Sequence, residues 1–260
     1  MMDPREDLVS KRLAELASLS YTRGIPLYSS FLPEGEQERG RGALHHPGIC
    51  AAFWGGYPDA ERKCAVFLPE DVPAEELENR IDFTFWDHFA CLRIAPSSGR
   101  FSRELSHRDY LGALLGLGIS REKLGDMTVR DNVCRLICDP AIAAFLCAEL
   151  AQVGTEGVRA EIEPFSPEGW APETEPIAGT VASNRLDAIV GLLCRVSREK
   201  AAELIRTERV QVGGQAVTQV SASVPEGRRL SVRGFGKFRI DHIGEETRKG
   251  RLRISASRYV

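Results

Sequence analysis

Between Ser183 and Ile240 the period of the hydrophobic positions changes from helical to alternating. Leu186, Ile189, Val190 and Leu193 recur at helical spacing, as do Ala201, Leu204 and Ile205, so two short helices are predicted. Ser183 or Asn184 is placed to cap the first, and Ser197 the second. Val210 and Val212 then alternate with polar residues up to Gly213-Gly214, and Gln215 to Val217 resumes the strand, which predicts a hairpin with a two-residue turn. Two further short strands, Leu230 to Arg233 and Lys237 to Ile240, flank Gly234-Phe235-Gly236. In the basic tail, Leu252, Ile254 and Tyr259 predict a closing edge strand.

Upstream, residues 5–19 form an amphipathic helical pattern with Leu8, Leu13 and Leu16 on one side. Tyr21 to Pro33 is broken by Gly24, Pro26 and Pro33 and reads as loop, and Glu34 to His45 as a short charged helix. Ile49 to Trp54 and Cys64 to Leu68 predict a hairpin. Then come a strand at Phe89 to Ala95, a helix at His107 to Leu117, strands at Met127 to Arg130 and Val133 to Cys138 around Asp131-Asn132, a helix at Pro140 to Gln152, and a strand at Val158 to Ile162. That order, β-α-β-β-α-β, is the ferredoxin-like one, shared by RRM-type RNA binders and by many domains that touch no nucleic acid. Pro164 to Thr180 carries four prolines and no clear periodicity, so it reads as a linker. The expected class is α+β: an N-terminal helix-plus-hairpin unit (1–75), a ferredoxin-like middle domain (76–163), a Pro-rich linker (164–180), and a C-terminal αα-β-hairpin module with a basic tail (181–260).

Charge sharpens this division. The net charge of −3 conceals a split: residues 181–260 carry 16 Lys/Arg against 8 Asp/Glu, and residues 1–180 carry 18 against 29. One polyanion-seeking end on an acidic body is the expectation. The 7 scattered cysteines favour reduced thiols in a cytoplasm over a disulfide framework. No apolar run reaches bilayer length and no signal pattern opens the chain, so no membrane role is expected.

The C-terminal pattern resembles the small RNA-binding module first described in ribosomal protein S-four. The residues that carry the resemblance are Arg185-Leu186-Asp187, Ser197-Arg198, Ala201, Leu204-Ile205, Val210-x-Val212, Gly214, Val224, Gly227 and Leu230 to Arg233. It departs at the turn, where Gly213 stands for the usual Asn, and just before the hairpin, where Glu208 stands for the usual Gly. More widely, Phe31-Leu32-Pro33, Gly55 to Lys63, Ser106 to Ile119, Arg121 to Asp126 and Arg233 to Phe238 resemble the YlmH-like bacterial RNA-binding proteins, described as ribosome-associated quality-control factors. That resemblance implies a cytoplasmic protein, monomeric off the ribosome. It would bind structured ribosomal RNA and tRNA on large ribosomal subunits with stalled chains, and would take no cofactor or small-molecule substrate. A cell-division association also attaches to the family.

The candidate RNA-binding residues are Arg185, Ser197, Arg198, Lys200, Arg206, Arg209, Arg233 and Lys237. Arg185 and Arg198 lie at predicted helix starts, where free N–H groups and the positive dipole end favour a phosphate and disfavour a cation. A ligand supplying negative charge reconciles the two. Arg198 is read as an RNA contact; for Arg185, RNA contact and an internal pair with Asp187 stay equally open.

Three catalytic readings fail. Ser106, His107 and Asp109 lie at one helix start with diverging side chains, whereas triad members converge from separate elements. Cys134 and Cys138 share one strand face without metal-site spacing, so they read as buried thiols and no metal is expected. Neither a Gly-rich cofactor fingerprint nor a phosphate-binding loop occurs. The rival is an RNA-modifying enzyme, pseudouridine synthase-like or methyltransferase-like, with Asp126, Asp131 or His107 as candidate catalytic residues. It requires a concave pocket where titratable groups converge.

Overall fold

The computed structural model describes residues 4–70, 72–97 and 103–259. The chain divides into two compact units, residues 1–171 and 172–260. Helices and antiparallel sheets make up both, in keeping with the α+β class expected. Among the described residues no helix is long and apolar enough to cross a membrane.

The first unit runs α1 (Pro4–Arg23), β1 (Leu27–Tyr28), α2 (Glu34–Gly40), β2 (Cys50–Trp54), β3 (Cys64–Leu68), α3 (Ala74–His88), β4 (Ala90–Pro96), α4 (His107–Gly116), β5 (Leu124–Arg130), β6 (Val133–Cys138), α5 (Pro140–Glu149), β7 (Gln152–Val153) and β8 (Glu156–Glu163). The small sheet β1-β3-β2 carries the unbroken apolar run of β3 at its centre, and every residue of that strand is buried. Ala65 and Phe67 meet Leu13 and Ala17 of α1, while Cys64, Val66 and Leu68 meet Ile81 and Phe85 of α3. Burial on both faces is the reason the run does not alternate.

The larger sheet has the order β5-β6-β4-β8-β7, with all neighbours antiparallel. Its β-α-β-β-α-β run puts Tyr110 and Leu114 of α4 and Ile142 and Leu146 of α5 over one face. Cys134 and Cys138 both point into that core, as the even spacing predicts, and burial pushes both thiols well above their ordinary values. Ser106 caps α4 in a reciprocal box with Asp109. Hydrogen bonds from Ser106 and Arg103 hold the Asp109 carboxyl down at about 2, which accounts for the Ser-His-Asp run structurally.

Two sequence boundaries are corrected. The break expected at 75 is absent, because Cys91 and Ile137 of the larger sheet share one hydrophobic cluster with Phe31, Val66 and Phe85. α3 supplies much of that shared core, although the overall pattern predicts no element there. Its register, Leu77, Ile81 and Phe85 after Pro73, is helical, but exposed Phe83 blurs it. The linker expected at 164–180 divides instead. Phe165 and Trp170 pack into the first unit, and β9 (Thr174–Val181) is an eight-residue strand of the second.

The second unit continues with α6 (Leu186–Cys194), α7 (Arg198–Arg206), β10 (Val210–Val212), β11 (Gln215–Ala216), β12 (Arg229–Val232), β13 (Gly236–Glu246) and β14 (Leu252–Tyr259). Its sheet has the order β11-β10-β12-β13-β14-β9. The tail strand β14 is therefore interior, and the edge is β9, which accommodates Pro176 opposite Ser257 because an edge strand tolerates a missing donor. Leu186, Ile189, Val190, Leu193, Ala201, Leu204 and Ile205 all reach the core with Phe238 and Ile240, as their spacing predicts. Gly213 and Gly214 take φ of 57° and 74°, the conformation of a tight hairpin turn. Glu208 sits at φ 55°, a left-handed position that explains why glycine is usual there.

Deleting β9 tests the corrected boundary. A fragment of residues 172–260 is expected to fold, and one of residues 182–260 to melt at a clearly lower temperature, since the whole β14 ladder partner is gone. Equal melting temperatures by circular dichroism would mean that β9 contributes nothing.

Candidate nucleic-acid interface

The two helix starts of the second unit meet at one carboxylate. Asp187, 4% exposed, takes Arg185 Nε on Oδ1 at 3.1 Å and Arg198 Nε on Oδ2 at 2.8 Å. Burial pushes its carboxyl upward, but hydrogen bonds from Arg198 and Arg185 outweigh that, and the net position lies below the ordinary carboxylate range. The same contact raises Arg198 above its usual value. The negative charge expected from a ligand at the helix entries is thus partly supplied from within. Arg185 spends Nε and Nη2 on Asp187, whereas Arg198 spends Nε alone, so both its η nitrogens are without a partner among the described residues.

The helix ends also differ. The α6 start is filled by protein: Leu186 N donates to Ala222 O and Asp187 N to Val220 O, while Asn184 brackets Val224 instead of capping. The α6 cap position is Arg185, without a side-chain cap, so neither Ser183 nor Asn184 plays the expected part. At α7 the expected cap is present, with Ser197 Oγ accepting from Lys200 N at 3.2 Å. That leaves α7, with Arg198 at its first turn, as the more available anion-binding end.

The remaining predicted residues fall into separate places. Lys200 Nζ pairs with Glu203 at 2.9 Å, a local surface pair. Arg206 closes α7, exposed and without a partner among the described residues. Arg209 and Arg233 are tied together, Arg233 N donating to Arg209 O and Arg209 Nη2 to Arg233 O, each at 2.8 Å. Lys237 is the second residue of β13, opposite Ser231. The hydrogen bonds bring Arg185 with Arg198 and Arg209 with Arg233, and do not join the two pairs. Sequence reading passed over Arg258, whose Nη2 reaches Phe235 O at 3.5 Å in the turn between Arg233 and Lys237; the basic tail was its only signal.

A second basic surface lies on the larger sheet of the first unit, opposite α4 and α5. Thr128, Arg135, Arg93 and Glu161 stand in one row across β5, β6, β4 and β8. Arg135 pairs with Glu163 at 2.9 Å and Arg159 with Glu161 at 3.0 Å. The Arg93 side chain, at the centre, has no hydrogen bond or ion pair among the described residues. Residues 169–171 bound this face, taking Thr128 Oγ1 on Gly169 O and Arg130 Nη2 on Ala171 O. Strand alternation in sequence placed these arginines on one face, but their acidic surroundings hid them.

The candidate catalytic residues of the rival reading fall on β5, the turn after it and the start of α4. Asp126 accepts from Tyr57 Oη at 2.7 Å, Glu61 N at 2.7 Å and Arg62 N at 2.9 Å. Arg62 in turn donates to Leu124 O, Phe31 O and Arg121 O. Burial first, then the neighbouring Arg121, lowers Arg62 to about 10. These contacts lock the Gly55 to Lys63 loop onto the Arg121 to Asp126 segment, so Asp126 holds a loop. Asp131 lies in the β5–β6 turn at φ 49°, and His107 starts α4. A cavity of about 730 Å³ in this unit is lined by none of the three.

Residues 93–166, which span the larger sheet, match the family model described as "Putative RNA-binding domain in YlmH". A Bacillus subtilis (strain 168) protein, "Ribosome-associated protein quality control protein P2", is 34% identical over 211 residues, covering 80% of this chain and 77% of that protein. The chain belongs to the YlmH family. A solved structure, the cell division protein ylmH from Streptococcus pneumoniae, aligns over 65% of this chain and 96% of that one, with 13% identity and a TM-score of 0.48. The YlmH domain match falls on the arginine row of the first unit, whereas all eight predicted residues lie in the second.

Two substitutions separate scaffold from surface. Asp126→Ala strands two backbone N–H groups and a tyrosine hydroxyl, and is expected to cost about 2–3 kcal/mol in denaturant melts. An unchanged midpoint would show that the loop lock is not structural. Asp187→Asn is expected to cost about 1–2 kcal/mol at neutral pH, a figure kept small because both arginines are well exposed. Since the folded carboxyl lies below its unfolded value near 4, its contribution is complete above about pH 4 and disappears as pH falls through the folded value. The stability difference between wild type and Asp187→Asn should therefore shrink below about pH 4, as read from thermal melts across pH; a constant difference would contradict the assignment.

Proposed function

We propose that this chain is a non-enzymatic RNA-binding protein that acts on the ribosome. The observation that carries the reading is the arrangement at Asp187: one buried carboxylate holds two half-exposed guanidinium groups at adjoining helix starts, and Arg198 keeps two donors for a phosphate. A fixed guanidinium loses less entropy on meeting a phosphate and offers it a fork of donors. Arg206, Arg209, Arg233 and Lys237 extend the charge, while Lys200 and Ser197 serve the helix itself.

The helix pair, hairpin and sheet order of the second unit support an S-four-type module, and the sheet order of the first supports a ferredoxin-like domain. The YlmH domain match supports a second RNA contact on the row around Arg93. The RNA is read through shape and backbone, as expected for helices whose base edges lie in a deep groove. Ribosomal RNA and tRNA of the large subunit are the proposed targets, with the protein cytoplasmic and monomeric when unbound. The name of the Bacillus subtilis relative supports the ribosomal setting. The engagement of Asp126 in the loop lock, and a cavity lined by none of Asp126, Asp131 and His107, support binding over RNA modification.

The test is affinity for a structured ribosomal RNA fragment at several salt concentrations. Log affinity is expected to fall by about 0.7–0.9 per phosphate contact per log unit of salt. Arg198→Ala should weaken binding by about 1–3 kcal/mol and lower the slope by about one contact. Arg185→Ala should mainly lower the melting temperature. If Arg198→Ala leaves both affinity and slope unchanged, the primary site lies elsewhere, and Arg93→Ala then shows whether it is the middle sheet.

A further inference from the structure

The cavity of about 730 Å³ in the first unit has a lining unlike either basic surface. Its walls are aromatic: Trp54 from the end of β2, Tyr57 from the following loop, Trp86 from α3, and Phe165, which stacks on Trp86 with centroids 4.3 Å apart. Its charged groups are all carboxylates, namely Glu78 and Asp82 of α3 and Glu163 at the end of β8, and none of the described residues lining it is Lys or Arg. Trp54 Nε1 donates to Asp82 Oδ1 at 2.7 Å, which fixes the indole and leaves Oδ2 without a partner among the described residues. Arg135 occupies one oxygen of Glu163. Glu78 is exposed, and its carboxylate has neither a hydrogen bond nor an ion pair among the described residues.

We propose that this cavity is a docking site for an arginine- or lysine-rich segment of a partner protein, whose cationic side chain enters between the aromatic walls and meets Glu78 and Asp82. The volume suits a few side chains. Aromatic faces attract cations, and a guanidinium stacks on them while donating to carboxylates. A phosphate-bearing ligand would meet three carboxylates and no cation, and an apolar one would have to desolvate them. The surrounding charge agrees, since residues 1–180 carry 29 Asp/Glu against 18 Lys/Arg. The assignment goes beyond RNA binding and does not depend on it: one acidic body would take a basic protein while the arginines of both units take RNA.

The chain has 3 tryptophans, of which Trp54 and Trp86 line the cavity, so intrinsic fluorescence reports on it directly. The experiment titrates the full chain with hepta-arginine at physiological salt. Saturable quenching is expected, weakened about tenfold by Glu78→Lys, less by Glu78→Gln, and less than about twofold by Glu149→Lys, a charge reversal on exposed α5 surface. Thermal melts establish that the variants fold, and RNA affinity measured in parallel should not fall in Glu78→Lys. Absence of quenching would overturn the proposal, as would equal weakening by Glu78→Lys and Glu149→Lys. Displacement of the peptide by guanosine or cytidine, whose amino groups also donate to carboxylates, would assign the cavity to RNA bases instead.

Discussion

The candidate interface depends on the Asp187 carboxylate. Buried beneath two helix starts, it pulls one guanidinium from each into a fixed position and offsets a cation placed at the positive end of a helix dipole. Without it, Arg198 would be a mobile surface side chain at an unfavourable position. With it, the side chain is oriented and two donors face outward. The affinity proposed for phosphate therefore rests on an anion within the protein, whose desolvation is balanced by the hydrogen bonds that lower its pKa.

The first unit uses a second carboxylate in another way. Asp126 gathers a hydroxyl and two backbone N–H groups from a loop more than sixty positions earlier, and Arg62 returns donors to the carbonyls around Asp126. A carboxylate saturated in this manner is a poor general base, since its lone pairs are already engaged. The two carboxylates, one at the candidate interface and one in a loop lock, look alike as charged motifs in a linear sequence. Their partners distinguish them: Asp187 orients groups that stay exposed, and Asp126 joins two segments of scaffold.

Charge is arranged by unit, and each unit varies it locally. The basic second unit carries the guanidinium pairs, and the acidic first unit carries both an arginine row on its sheet and an aromatic, carboxylate-lined cavity. A uniformly acidic body would repel RNA wherever it approached. In the row around Arg93, two of the flanking arginines are already paired with glutamates, so the attraction it would present to a phosphate is narrow and directional.

Much of the second unit was legible along the chain because its signals are local. The helical spacing of Leu186 to Leu193 and of Ala201 to Ile205, the cap at Ser197 and the turn at Gly213-Gly214 each involve residues a few positions apart. The family resemblance was also readable there, and so was the basic balance. Long-range pairing was not. β9 lies in a proline-rich stretch that reads as a linker, itself carrying Pro176 and Glu175, and becomes a strand only because β14, some 75 positions later, offers it an edge. α3 and the larger sheet share a core whose members are individually unremarkable in sequence. Arg185 and Arg198 could be named from sequence, but not the fact that a single carboxylate holds both, nor that loop carbonyls already fill the α6 start. Short-range periodicity and turn chemistry are properties of neighbouring residues. Which strand is the edge, which charge is satisfied and which donor stays free depend on groups brought together only when the chain closes on itself, and those the tertiary structure decided.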